Sequence, residues 1–442
     1  MKQDAYSLRL ASTRAGVAPP LTNLKRETMR KQLLGTTALV AAGLFVVADA
    51  GPASAQQKVE PIKVTTGGYA GGFVSFVDQD DRGPTTAGRS GKFVKLDTHT
   101  DAEIHFNGRT TLANGITVGF RIELEGNTSG DTIDESWLFL ETKFGRIEIG
   151  QLNNVHYRMG VRAPDVFTRG WLNEGNITNV VLNPTGSANN NTTINTTHTR
   201  FADNDSDKVN IYTPRVAGFQ VGFSYIPDSS QDTAVPTPAS TAYTRGWSVA
   251  ANFIRTIGPV DVSASAGYFT FEGPQIVDVA TGAIRNAPDP DIFAFGLQVG
   301  FAGFRIGGSY GAVDNGRTPF GAVGALGAAG TGTAQVDGYA YDIGASYTTG
   351  PVSVSLTYIN GRNNDGPCST ATQGCAVNTG GDDEFTAIAL AGKYVIGPGV
   401  SLDAVLFIAE FQGNDAPTSS PATRSLNDNE AVGGAVGMVL VF

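Results

Sequence analysis

The chain has 442 residues, with 31 Lys+Arg against 41 Asp+Glu and a formal net charge of −10. Only 16% of its residues are charged, while 56 are glycine, against roughly 25% and 7% in ordinary soluble domains. This acidic balance excludes a nucleic-acid partner, which needs basic surface, and few charges with many glycines suit an all-β architecture.

Residues 1–55 read as an N-terminal extension followed by a cleaved signal peptide. Met29-Arg30-Lys31 opens a basic segment, Leu33 to Ala48 is apolar, and Ala53-Ser54-Ala55 gives a small-x-small cleavage site before Gln56. Met29 sits directly before the basic segment, so the residues upstream of it read as an extension from an earlier start. The mature chain, 56–442, would carry 24 Lys+Arg and 38 Asp+Glu, a net charge of −14. Beyond Ala55 no apolar run approaches the ~20 residues of a membrane helix. Periplasm, medium or outer membrane are the destinations left.

The mature chain repeats one unit: strand, tight turn, strand, polar loop. In Asp101–Gly126, Ile104, Phe106, Gly108 and Thr110 alternate with Glu103, His105, Asn107 and Arg109. After the Ala113-Asn114-Gly115 turn, Val118, Phe120, Ile122 and Leu124 alternate with Thr117, Arg121, Glu123 and Glu125. Period-two alternation makes a sheet with one apolar and one polar face. The unit returns at Asp134–Gln151, Lys208–Asp228, Tyr243–Glu272, Asp291–Gly311, Gln335–Asn360 and Glu384–Phe411. Lys63–Asp78 and Asn427–Phe442 bring the total to sixteen strands. An even strand number, short turns on one side and long loops on the other form the pattern of a transmembrane antiparallel β-barrel. A soluble sandwich would bury its second face, yet here that face is Gly, Ser, Thr, Asn and charge, as at Asp261, Ser263 and Ser265. Phe and Tyr fall mostly on the outward register. Gln151–Asp207 is the third long loop. Its first half, Leu152–Trp171, should pack as a short helix and turn, and its Asn/Thr-rich run at Asn189–Thr197 should be solvated. Cys368 and Cys375 fall in one polar loop, where an oxidising compartment would join them in a local disulfide.

Four segments resemble Gram-negative general porins, especially the alphaproteobacterial type: DAEIHFNG at Asp101–Gly108, DESWLFLETKFGRIEIG at Asp134–Gly150, TPRVAGFQVGFSYIPD at Thr213–Asp228 and the terminal VGMVLVF at Val436–Phe442. The resemblance implies a sixteen-stranded, water-filled barrel in the bacterial outer membrane. It also implies a homotrimer among outer-membrane lipids and lipopolysaccharide, with the third loop folded inward to narrow the pore. Arg109, Arg121 and Arg146 lie on the polar register, and the family places a basic cluster on this part of the wall. The corresponding acids on the loop would be Asp165 and Glu174. Opposed charges across the constriction would set up a transverse field; the competing arrangement pairs the arginines with Glu103, Glu123 or Glu148 along the wall.

The four histidines lack metal-ligand spacing, and His105 should oppose Glu123 in the hairpin register. No nucleophile–base pair, phosphate loop, haem motif or zinc signature stands out, so neither an enzyme nor a cofactor is expected. The expected function is passive diffusion of small hydrophilic solutes and ions. The alternatives are a substrate-specific channel and, from other classes, a barrel adhesin or barrel enzyme.

Overall fold

The computed structural model describes residues 60–80, 93–126, 132–181, 196–198, 205–230, 242–273, 275–277, 284–286, 289–317, 335–365, 382–412 and 428–442. Residues 1–55 and the Cys368–Cys375 loop lie outside them.

Sixteen strands close a barrel. The first nine are β1 (Lys63–Gln79), β2 (Leu96–Thr111), β3 (Thr117–Glu125), β4 (Ile133–Thr142), β5 (Gly145–Gln151), β6 (Asp207–Tyr212), β7 (Phe219–Asp228), β8 (Thr244–Ile257) and β9 (Val260–Glu272). A small hairpin outside the barrel follows, β10 (Gln275–Val277) with β11 (Ile284–Asn286). The barrel then resumes with β12 (Asp291–Phe301), β13 (Phe304–Arg317), β14 (Gln335–Thr349), β15 (Val352–Asp365), β16 (Asp382–Gly397), β17 (Val400–Gln412) and β18 (Asn429–Val441). Every pairing is antiparallel; barrel strands pair in chain order, β9 with β12 across the small hairpin, and β1 pairs with both β2 and β18, so the sheet has no free edge. Closure is what a bilayer requires, since lipid offers backbone groups no partner.

The expected hairpins are present. Phe301 pairs with Phe304 across a two-residue turn in which Ala302 and Gly303 have φ of 50° and 86°. Two successive positive φ values define the turn whose twist matches that of the strands it joins. His105 opposes Glu123, as the alternation requires. β2 begins at Leu96, earlier than its alternating stretch suggests.

The register sorts side chains by face. On β12, Phe293, Phe295, Leu297, Val299 and Phe301 point outward and are exposed, Leu297 at 52%, whereas Ile292 and Ala294 are buried inside. Val249, Val354 and Leu406 are likewise exposed, and Asn252 and Ser355 are buried within the barrel.

The inner face departs from expectation in one sector. On β15 to β18 and β1 much of it is apolar, with Ile359, Phe385, Ala387, Ala389, Ala391, Val405, Phe407, Ala409 and Phe73 all buried. Nor do aromatic rings stay outside: Phe269, Phe271, Phe385 and Phe411 are buried on the inner register. Strand alternation marks a polar inner face only where water reaches it, and here protein covers the wall instead. Phe167, Trp171, Leu172, Ile177 and Val181 of the third loop complete that cluster.

Candidate functional site

The loop after β5 lies as a strap along the inner wall. It contains a single helical turn, α1 (Val155–Arg158), capped where Asn154 Oδ1 accepts the Tyr157 N–H at 3.0 Å. The chain then runs extended, and its backbone polar groups are met by inward side chains of one strand after another. Asn210 of β6 donates to Asn153 O, and Ser224 of β7 accepts the Val155 N–H. Asn252 of β8 donates to Met159 O, and Ser265 of β9 accepts the Val161 N–H at 2.8 Å. Gln298 of β12 donates to Arg162 O, and Asp342 of β14 accepts the Ala163 N–H. Thr357 and Ser355 of β15 hold Pro164 O and the Val166 N–H. Asp403 of β17 takes both the Thr168 N–H, at 2.7 Å, and its hydroxyl. Finally Arg169 reaches Glu103 of β2 at 2.7 Å. The contacts follow the order of the strands around the barrel. An extended segment lacks internal hydrogen bonds, so the wall must supply partners wherever water cannot.

Glycines set how closely the strap sits. A Cβ on Gly296 would lie 1.7 Å from Val161 O, and one on Gly311 would lie 1.8 Å from Thr197 O. Thr197 and His198 are fully enclosed, which corrects the expectation that the whole Asn/Thr-rich run is solvated. The wall accepts the end of that run because Gly311 leaves space there.

Of the five expected constriction residues, the structure brings none of the arginines to either acid. Asp165 is half-buried and accepts three backbone N–H groups of its own loop, from Phe167, Trp171 and Leu172, at 3.1, 2.7 and 3.1 Å. Burial pushes its carboxyl above the ordinary range, against the pull of those donors. It shapes the strap rather than facing the wall arginines. Glu174 binds Arg162 at 3.0 Å and accepts the Tyr157 hydroxyl at 2.7 Å. Arg109 is exposed near the turn end of β2, 3.7 Å from Glu141.

Arg121 and Arg146 pair with acids on their own strands. Arg121 Nε donates to Glu123 and Arg146 Nε donates to Glu148 at 2.8 Å. The Arg146 guanidinium also lies over the Phe139 ring at 4.1 Å. Two strap residues join this belt without having been expected: Arg158 bonds Glu148 at 2.5 Å, and Arg169 bonds Glu103 while stacking over Tyr69. Their charge was visible in the sequence, but not the wall position each would reach. In all four pairs the glutamate lies beneath and the guanidinium above. Arg158 is 30% exposed over Glu148 at 2%, and Arg169 is 41% exposed over Glu103 at 5%. Water in the lumen therefore meets the cationic ends, together with two partly exposed carboxylates beside them, Glu141 at 3.6 Å from Arg146 and Asp101 at 3.6 Å from Arg169. The strap also borders a cavity of about 590 Å³ lined by Tyr157, Arg169, Asn173, Glu174, Ser353 and Lys393.

Glu103, His105 and Glu123 converge closely enough to suggest metal ligands. Arg121 Nη2 lies 3.0 Å from His105 Nδ1, and His105 Nε2 lies 2.8 Å from Glu103. A guanidinium can only donate, so Nδ1 accepts and Nε2 keeps its proton for Glu103. These hydrogen bonds link the trio to Arg121.

The model of the Gram-negative porin family matches residues 35–415. Among solved structures, the anion-selective porin of Comamonas acidovorans is 17% identical, with a TM-score of 0.53 over 86% of this chain and all of its own. The outer membrane channel DcaP of Acinetobacter baumannii is 13% identical, with a TM-score of 0.55 over 88% of this chain and all of its own. The trimer form of the outer membrane protein OmpT of Vibrio cholerae is 13% identical, with a TM-score of 0.52 over 87% and 100%. No protein of curated function matches at the level of sequence.

Proposed function

Because this chain belongs to the Gram-negative porin family and is an outer-membrane channel for diffusion, we propose that its strap and the belt of arginines beside it form the constriction. The observation that carries this reading is the layering of charge. Arg121, Arg146, Arg158 and Arg169 turn their guanidinium ends to water while Glu123, Glu148 and Glu103 lie under them. A passing ion senses the nearer charge more strongly, because separation and solvent both weaken the farther one. The pore then favours small anionic and neutral hydrophilic solutes, the behaviour named for the Comamonas relative. Among the residues expected from the sequence, Arg121, Arg146 and Glu174 belong to this lining; Arg109 acts at its edge, and Asp165 acts by shaping the strap. The protein is read as a passive channel rather than an enzyme, and as a homotrimer like the trimeric Vibrio relative. Residues 1–55 are read as the exported precursor's extension and signal peptide.

Reversal potential across a salt gradient in a planar bilayer tests the charge layout. The wild type should prefer anions, and Arg158→Gln with Arg169→Gln should move it toward cations. Glu174→Gln should move it the other way, and Asp165→Asn very little. All shifts should shrink at about 1 M salt, where the screening length is roughly 3 Å. A cation-preferring wild type, or one reversal potential shared by every variant, rules the belt out as the filter.

A further inference from the structure

Two histidines are shut beneath the first half of the strap, a use of histidine the channel reading does not require. His156 lies on α1 and His198 at the far end of the loop, with ring centroids 5.9 Å apart. Both are about 1% exposed. Glycines make the space: a Cβ on Gly267 would stand 2.8 Å from His156 Nδ1, and one on Gly160 would stand 2.2 Å from the His198 ring. Phe269 of β9 packs against His156 from the wall side. Neither nitrogen of His156 reaches a well-formed hydrogen bond, the nearest backbone being that of Gly267. Nδ1 of His198 meets only the Thr197 hydroxyl, at 3.0 Å.

The charged groups around this pair offer a second proton no welcome. Arg162, on the strap itself, is the cation close to both rings, and its Nε and Nη2 are buried without partners. Asp342, the acid on β14, spends Oδ1 on Ser309 and on the Ala163 N–H, while its Oδ2 is buried without a partner and bonds neither ring. Glu174, the acid on the strap, is taken by Arg162 and Tyr157. Among the described residues of β8, β9, β12 and β13, the neutral Ser248, Asn252, Ser265, Gln298 and Ser309 lie buried or bonded on this side of the strap, and the charged Arg305, paired with Asp261, bonds Gln298. Two imidazolium ions beside a guanidinium, enclosed and with no carboxylate bonded to either ring among the described residues, cannot be held there.

We propose that His156 and His198 form an acid-sensitive latch: protonation of the pair releases the first half of the strap from the β7–β13 wall. Burial, then the neighbouring Arg162, pushes His156 down to about 3, and His198 is lowered by burial, Arg162 and His156 in that order. A base with its pKa lowered in the docked form stabilises docking above its free value of about 6.5, and that stability drains away as pH falls toward the docked value. His156 shifts the undocking equilibrium about tenfold per pH unit across that window, and the lowered His198 adds in the same direction. The inference rests on the strap bordering the conduction path, but release itself can be measured without conduction.

The test is amide hydrogen exchange, corrected for intrinsic rates, on full-length protein purified from outer membranes between pH 7.5 and 4.5. Exchange over residues 155–163 should rise about a hundredfold or more between pH 6.5 and 4.5, while β12 to β15 stay protected. His156→Gln with His198→Gln should remove the rise, and His156→Phe, which keeps a ring in the cradle, should reduce it. Single-channel conductance should change over the same pH range in the wild type only. A strap whose exchange is flat with pH, or a rise that survives in the double Gln variant, overturns the latch. A pH-dependent strap in a protein that conducts nothing would leave the latch standing and sink the channel reading instead.

Discussion

Gly296→Ala isolates the contact between strap and wall with one methyl group. The added Cβ would stand 1.7 Å from Val161 O and 2.6 Å from its carbonyl carbon. Real side chains do not approach closer than about 3 Å, so Val161 must retreat by more than 1 Å. The neighbouring anchors cannot follow: the Val161 N–H is fixed at 2.8 Å on Ser265 and Arg162 O at 2.5 Å on Gln298. A retreat of that size takes both past hydrogen-bond range. Two bonds at about 1 kcal/mol each, with overpacking strain of about 1–2 kcal/mol, put the local cost near 3 kcal/mol. That is a change of about two decades in the ratio of released to docked strap. The outward Gly72, where a Cβ meets nothing within 4 Å, supplies the control in Gly72→Ala. Amide exchange over residues 155–168 at pH 7.5 should rise in Gly296→Ala and not in the control, with the barrel strands unchanged. Single-channel conductance should fall or grow noisy, because the displaced strap moves into the lumen. Wild-type exchange and conductance in Gly296→Ala would refute the claim that close backbone packing fixes the strap.

Two further outcomes follow from the fold. Leu297→Arg puts a charge on the lipid face and should cost roughly 2–4 kcal/mol in urea unfolding from liposomes, while Gln298→Arg, one register step away, should cost much less; equal losses would contradict the assignment of faces. Sequencing of the protein recovered from outer membranes should begin at Gln56, and an intact Leu33–Val47 peptide in that fraction would show that the N-terminal segment is retained.

The barrel was legible because its physics is local. Strand alternation, turn residues such as Ala302-Gly303, and loops of unequal length each depend on a few neighbouring residues, and a bilayer admits only a closed sheet. Strand count, hairpin register and the outward set from Val249 to Leu406 could therefore be read along the chain. The His105–Glu123 pairing followed from the same periodicity. What the strap touches could not. Asp165 looks the same in sequence whether it faces an arginine across water or ties up its own loop's N–H groups. Arg158 and Arg169 carry their charge openly, yet their glutamate partners lie 10 and 66 residues away along the chain. The apolar inner sector from Phe385 to Val405 also misled, because alternation reports how wet a face is, and here the strap had replaced the water. The sequence by itself determined a closed barrel with one long third loop. Tertiary structure alone decided where that loop lies, since its anchors are single side chains on distant strands that only barrel closure brings together.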